Sequence, residues 1–267
     1  MSLFLKINRK ASEADNTNLA DYDKIIAALF RQKYKSSKTK DELGFTKDEL
    51  AQTARKLKLD LRNPPDVVYT YRTRKALPDA ILAAGNWILV PKGKGKFSFA
   101  RTTRAPFIKI QQGLAHIEIL NALPEIVQKY TATDEQGLLS TLRYNRLIDI
   151  FTGVTCFHLQ SHIRTTISGE GQIEIDDLYV GVDEDGVEYI LPTEAKSPDD
   201  RDKLGWFQVA NLVKFAAQYF PHLKCRAIAA KPMGNNAVCL IEFDDEADYE
   251  RIGIKNIKLY KLVRENK

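Results

Sequence analysis

The stretch from Gly171 to Lys196, GQIEIDDLYVGVDEDGVEYILPTEAK, leaves few options for the chain that contains it. Gln172 to Val182 is rich in Ile, Leu, Tyr and Val, residues that suit a pleated surface. Asp183-Glu184-Asp185-Gly186 is a turn signal, in which Asp-Gly supplies the positive φ of a tight hairpin. Val187 to Lys196 reads as the returning strand. Side chains at i and i+2 share a strand face, so Glu194 and Lys196 point the same way. Asp176, or its neighbour Asp177, faces them across the hairpin. Pro192, without an N–H, suits an edge or a distortion of the strand. Two carboxylates and an ammonium are costly when buried unpaired. Around a hard divalent cation the carboxylates are preferred ligands, and a lysine beside the ion orients or deprotonates an attacking water. Counting by twos from Ile173 and Ile175, which need a core, puts Glu174 and Asp176 on the polar face. That favours Asp176 over Asp177, unless a bulge exchanges them.

Asp176/Asp177, a spacer of 17 or 16 residues, and Glu194-x-Lys196 resemble the PD-(D/E)XK nuclease motif. The segments TDEQGLLSTLRYNRLIDIFTG, QIEIDDLYVGVD and ILPTEAKSPDD and the helix containing Gln208 are similar to type II restriction endonucleases of that superfamily. Ile175 stands where the motif's proline would be. The resemblance implies a Mg²⁺-dependent site-specific endonuclease acting on double-stranded DNA. Asp176 and Glu194 would hold one or two Mg²⁺ ions, with the Ala195 carbonyl a further ligand and Lys196 acting on the water. It also implies an additional acid from the preceding helix, Glu135, and a polar residue near the site, Gln208. Glu135 also suits the positive end of a helix dipole, and Gln208 an exposed position on its helix. A homodimer with two active sites and a cognate DNA methyltransferase follow from the same resemblance.

At 267 residues the chain is long enough for one large domain or two smaller ones. No run approaches the ~20 apolar residues of a membrane span, and MSLFLKINRK lacks the apolar core and cleavage site of a secretion signal. Cys156, Cys225 and Cys239 are widely spaced inside apolar stretches, which reads as reduced thiols in a cytoplasmic protein. The net charge of +5 is unevenly placed. Residues 1–110 carry 23 Lys and Arg against 11 Asp and Glu, and the remainder 17 against 24. A basic front half suits phosphate binding and an acidic back half suits cation binding.

Residues 1–20 read as an arm without periodicity, and Asp21 to Lys35 as a helix with Tyr22, Ile25, Ile26, Leu29 and Phe30 on one face. Thr46-Lys47-Asp48-Glu49 is a capping box, with Phe45 and Leu50 as its hydrophobic staple. The helix it opens runs to about Leu59. Val67 to Tyr71 reads as a strand and Ala76 to Ala84 as a short helix. Trp87 to Val90 and Phe97 to Ala100 flank a basic tip, PKGKGK, which lacks phosphate-loop spacing. Helix, turn, capped helix and basic hairpin outline a winged-helix DNA-binding domain. Lys47, Arg55, Lys56 and Lys58 on the second helix and Lys92, Lys94 and Lys96 on the hairpin are its candidate DNA contacts.

A composition shift near Arg101 to Lys109 places a boundary between 1–105 and 106–267. Leu114 to Tyr130 contains helical material. Thr133 to Gln136 resembles a second capping box, opening one helix to about Phe151, with Arg143 and Arg146 as phosphate contacts or surface ion pairs. Val154 to Ile167 is a strand that puts His158 and His162 on one face. After the hairpin comes a helix to about Tyr219, then strands at Cys225 to Ala230, Ala237 to Phe243 and Ile257 to Val263. The expected fold is mixed α/β, a restriction-endonuclease-like core of a mixed sheet flanked by helices, preceded by the winged-helix-like domain. The crossover after Lys196 makes the Cys225 strand parallel to its neighbour. Two other classes fit parts of the pattern. IEIDDLYVG also resembles the first acidic strand of RNase H-like transposases, and the front half alone suits a non-catalytic winged-helix regulator.

Overall fold

The computed structural model describes residues 3–73, 75–111, 113–131, 134–200 and 202–264, with the backbone alone for residues 3–19 and Thr73. The chain divides into two compact units, Met1–Pro106 and Phe107–Lys267. Among the described residues no helix is long and apolar enough to cross a membrane. The three cysteines are free thiols.

The first unit runs α1 (Leu3–Ser36), β1 (Glu42–Thr46), α2 (Lys47–Lys56), α3 (Pro64–Thr73), α4 (Asp79–Leu82), β2 (Trp87–Pro91) and β3 (Lys96–Arg101). The strands form an antiparallel sheet of order β1-β3-β2. Ile25, Ile26, Leu29 and Phe30 of α1 bury against Leu50, Val67, Val68, Trp87 and Phe99. Each such side chain stabilises the unit by ~1.5–3 kcal/mol. The capping box at Thr46 forms in both directions: Glu49 N–H donates to Thr46 Oγ1 (3.2 Å) and Thr46 N–H to Glu49 Oε2 (2.9 Å). Phe45 and Leu50, the staple pair, are both buried.

Three readings of this half are corrected. Residues 3–20 belong to the backbone of α1 rather than to an irregular arm, in line with the helix-forming Leu, Lys, Ala and Glu there. The turn expected between the first helix and the capped helix contains β1, which pairs with β3 from Glu42↔Ala100 to Thr46↔Lys96. Val67 to Tyr71 is helical, within α3. Its β-branched and aromatic composition suggests a strand, but Pro64 favours a helix start. Val67, Val68 and Tyr71 bury at i, i+1 and i+4, one helical face.

The second unit runs β4 (His116–Leu120), α5 (Glu125–Tyr130), α6 (Glu135–Tyr144), α7 (Leu147–Thr152), β5 (Thr155–Ile167), β6 (Gly171–Val182), β7 (Glu188–Ala195), α8 (Trp206–Tyr219), β8 (Lys224–Cys225), β9 (Ile228–Pro232), β10 (Ala237–Phe243) and β11 (Ile254–Val263). They build one mixed sheet of order β4-β11-β10-β9-β7-β6-β5, with β8 beside β7. β5, β6 and β7 are antiparallel neighbours. The crossover through α8 returns β8 and β9 parallel to β7. β4 pairs parallel with β11 on the far edge.

Helices cover both sheet faces. Val209, Leu212, Val213 and Ala216 of α8 pack with Ile175, Leu178, Ile190, Ala229 and Ile241. Leu138, Leu142, Leu147 and Ile148 of α6 and α7 pack on the other side with Tyr179, Leu191, Ile228 and Leu240. The single helix expected from 133 to 151 is thus two, broken at Arg146, which has φ 49. Thr133 lies outside the described residues, and the cap that forms is Asp134, whose Oδ1 accepts from Gly137 N–H (3.1 Å). The helical material expected after Leu114 is preceded by strand β4.

Candidate active site

Asp176 sits near the middle of β6, and Glu194 and Lys196 at the end of β7 and just beyond it. β6 and β7 run Asp177↔Thr193, Leu178↔Pro192 and Tyr179↔Leu191, which places Asp176 opposite Glu194. Asp176 Oδ2 accepts the Ala195 N–H at 2.7 Å. Glu194 (7% exposed) and Lys196 (4%) are buried together, with Lys196 Nζ 2.9 Å from Glu194 Oε1. Gln208, in the first turn of α8, donates from Nε2 to the same Glu194 oxygen (2.7 Å) and accepts from Gly205 N–H (3.0 Å). Its amide is therefore held from both ends.

The parity that favoured Asp176 does not hold along β6. Ile173, Ile175 and Leu178 all belong to the cluster beneath α8, which unbroken alternation forbids. The ladder with β5 runs Asp177↔Ser161 and then Ile175↔Ile163, and His162 between those partners has φ 52. A second irregularity lies between His158 and Gln160. Asp176 reaches the site because of this local break, not because of a polar face running along the strand. His158 Nε2 lies 2.8 Å from Asp177, whereas His162 meets Gln136 and Glu174.

Asp177 belongs to a different environment. It is fully buried, and Arg143 binds it through two of its guanidinium nitrogens (Nε to Oδ2 3.1 Å, a terminal nitrogen to Oδ1 2.6 Å). Ser161 Oγ donates to Oδ1 (2.9 Å) and Tyr179 OH to Oδ2 (2.7 Å). Arg143 is thus the partly buried ion-pair partner of a buried acid. Arg146 pairs with Asp149 on the surface.

Electrostatics separates the neighbours further. Burial, then the charge of Glu194, pushes the Asp176 carboxyl up to about 8, against the lowering by Ala195 N–H and Lys196. Burial alone would lower the Lys196 pKa, but the charges of Glu194 and Asp202 outweigh it and raise the ammonium above its usual range. Glu135, the first residue of α6, also faces this group. Its partial burial and then the Asp202 charge raise its carboxyl, with Glu194 adding to the rise and the Lys196 ammonium opposing it.

Two residues of the site escaped the sequence reading. Asp202 Oδ1 lies 3.4 Å from Lys196 Nζ, and its Oδ2 accepts from Ser197 N–H (2.7 Å). Lys231 on β9 donates to the carbonyls of Ser197, Asp199 and Asp202. The acids that follow Lys196 were the available signal for Asp202, but irregular loops carry no period that aims a side chain. For Lys231 the signal was a lysine ending the apolar run AIAA.

Among the described residues no group of three or more His, Cys, Asp or Glu side chains is preassembled to hold a metal ion. The donor chemistry nevertheless suits a hard cation. Asp176 and Glu194 offer carboxylate oxygens whose mutual repulsion a cation relieves, and Lys196 now contacts one of them. The Ala195 side chain packs in the opposite cluster, so any part it takes is through its backbone.

The candidate DNA contacts fall into two groups. Lys47 opens α2, its N–H donates to the Gly95 carbonyl (2.9 Å), and its stem lies against Gly95, where a Cβ would come within 3.1 Å of it. Gly93, Lys94 and Gly95 all have positive φ (73, 49 and 74), so the tip curls back on itself. Lys94 and Lys96 are exposed there with Lys47, while Lys92 pairs with Glu42 (2.7 Å). Arg55, Lys56 and Lys58 are exposed at the other end of α2, about 14 Å along its axis. No protein-family model, curated protein or solved structure matches the chain.

Proposed function

We propose that the chain is a Mg²⁺-dependent endonuclease that hydrolyses phosphodiester bonds of double-stranded DNA at a specific sequence, a type II restriction enzyme of the PD-(D/E)XK kind. The observation that carries this reading is the meeting of Asp176, Glu194 and Lys196 on adjacent strands, with Gln208 on the crossover helix behind them. The order of helix, three antiparallel strands, helix and parallel strand around it supports the same reading.

Asp176 and Glu194 are the ligands we assign to the metal, with the Ala195 carbonyl beside them and Glu135 as an outer acid. A Mg²⁺ ion held by these residues would supply positive charge to the scissile phosphate and the departing oxygen. Lys196 positions the water for in-line attack and stabilises charge at the attacked phosphate. Gln208 holds the Glu194 carboxylate in place. An ammonium inside the acidic group favours this reading over a transposase site, whose chemistry rests on carboxylates alone.

The first unit supports the DNA-binding part. Its order of helix, strand, three helices and hairpin fits a winged helix, with Lys47, Lys94 and Lys96 gripping phosphates from the hairpin tip and Arg55, Lys56 and Lys58 forming a second contact. Cutting both strands at a symmetric site calls for a homodimer, and such an enzyme needs a methyltransferase to protect host DNA.

Digestion of phage DNA in Mg²⁺, with fragment ends sequenced, tests the proposal. Discrete fragments with one common end sequence are expected, and Lys196→Ala should abolish them. Intact DNA in both Mg²⁺ and Mn²⁺, with sequence-specific binding retained, would identify a regulator instead.

A further inference from the structure

We propose that Asp202 and Lys231 act as positioning residues for Lys196, an inference that rests on the nuclease reading above. Lys231 Nζ donates to three backbone carbonyls of the segment after Lys196: Ser197 (3.0 Å), Asp199 (3.1 Å) and Asp202 (2.9 Å). An ammonium has three donors, and all three are used here. The neighbouring residue on β9, Ala230, accepts the Lys196 N–H at 2.9 Å. One strand therefore holds both the backbone of Lys196 and the turn that follows it.

That turn brings Asp202 back onto the lysine. Asp202 N–H donates to the Asp199 carbonyl (3.1 Å), and Asp202 Oδ2 accepts from Ser197 N–H (2.7 Å). This leaves Oδ1 directed at Lys196 Nζ, 3.4 Å away, on the side of the ammonium not taken by Glu194. A cation bound by Asp176 and Glu194 competes with Lys196 for Glu194. Asp202 then keeps the ammonium in the site, at a place set by a turn that Lys231 fixes. Positional errors of about 1 Å cost up to a hundred-fold in rate.

Asp202→Asn keeps an oxygen for Ser197 N–H and removes the charge. Lys231→Met keeps the stem and removes the donors. In plasmid cleavage with Mg²⁺, each is expected to lower kcat roughly 10- to 100-fold with KM for DNA unchanged. Asp202→Glu should retain more of the rate than Asp202→Asn. The double variant should be no slower than the slower single one, because both changes act through one device. An unchanged kcat in Asp202→Asn, or losses that multiply in the double variant, overturns the proposal. If Lys231→Met fails to fold, Asp202→Asn and Asp202→Glu decide alone. Wild-type protein that leaves DNA intact in Mg²⁺ and Mn²⁺ overturns the nuclease reading and this inference with it. Wild-type cutting beside an unimpaired Asp202→Asn overturns the positioning role alone.

Discussion

Asp176 and Asp177 are adjacent in the chain and differ in almost everything else. Asp177 is enclosed by a guanidinium, an imidazole, a serine hydroxyl and a tyrosine hydroxyl, so both its oxygens are satisfied. Asp176 has the Ala195 N–H and stands beside a second buried carboxylate, and its carboxyl is pushed up to about 8. A saturated buried acid holds a fold together. An acid that burial and a like charge keep short of its ionised form has capacity for a cation. On the proposed reading, two neighbouring aspartates divide the structural and the chemical work between them.

The contrast breaks most visibly at Asp177. Asp177→Ala leaves the Arg143 guanidinium partly buried without its partner, and a loss of about 3 kcal/mol is expected in urea denaturation. A loss below about 0.5 kcal/mol would mean the network is not structural. Asp176→Asn should do the reverse. In metal-free protein at pH 8 it is expected to gain about 1–2 kcal/mol, because one of two repelling carboxylates is gone. It should also lose the rise in Tm that Mg²⁺ gives the wild type.

The pH dependence sharpens this point. The folded-state value of about 8 for Asp176 lies above the ~3.9 of an unfolded aspartate. Its contribution to stability is therefore fully present below about pH 4 and is lost as pH rises towards 8. The advantage of Asp176→Asn over wild type should grow between pH 4 and pH 8 in metal-free denaturation series. An advantage that is flat across that range contradicts the assignment. The smallest effect expected is on the first unit. Lys94→Ala with Lys96→Ala should lower the salt dependence of duplex binding by about one unit of slope per lost phosphate contact, uniformly across sequences.

The hairpin was legible because its apolar residues and Asp-Gly turn agree locally, and β6 and β7 lie within a residue or two of the expected limits. The crossover and the parallel return were legible for the same reason. What failed was mostly non-local. β1 and β4 are short strands whose partners lie far along the chain, β4 pairing from His116↔Leu259, and β4 is an exposed edge without alternation. α3 looked like a strand because Val67, Val68, Thr70 and Tyr71 favour sheets, and packing against α1 and β2 overrode that preference. Asp176 was preferred for a reason the strand does not obey, since a break opposite His162 sets where it points. Asp202 and Lys231 act through backbone carbonyls and a turn, and no residue pattern encodes such contacts.

Plasmid cleavage in Mg²⁺ by the wild type and Asp176→Asn, each first checked for a native unfolding transition, tests the division of labour most directly. The account predicts discrete fragments from the wild type and a rate about a thousand-fold lower from Asp176→Asn, although that variant is the more stable of the two without metal. A wild type that leaves the plasmid intact in Mg²⁺ and Mn²⁺, or an Asp176→Asn protein that cuts as fast as the wild type, would contradict it.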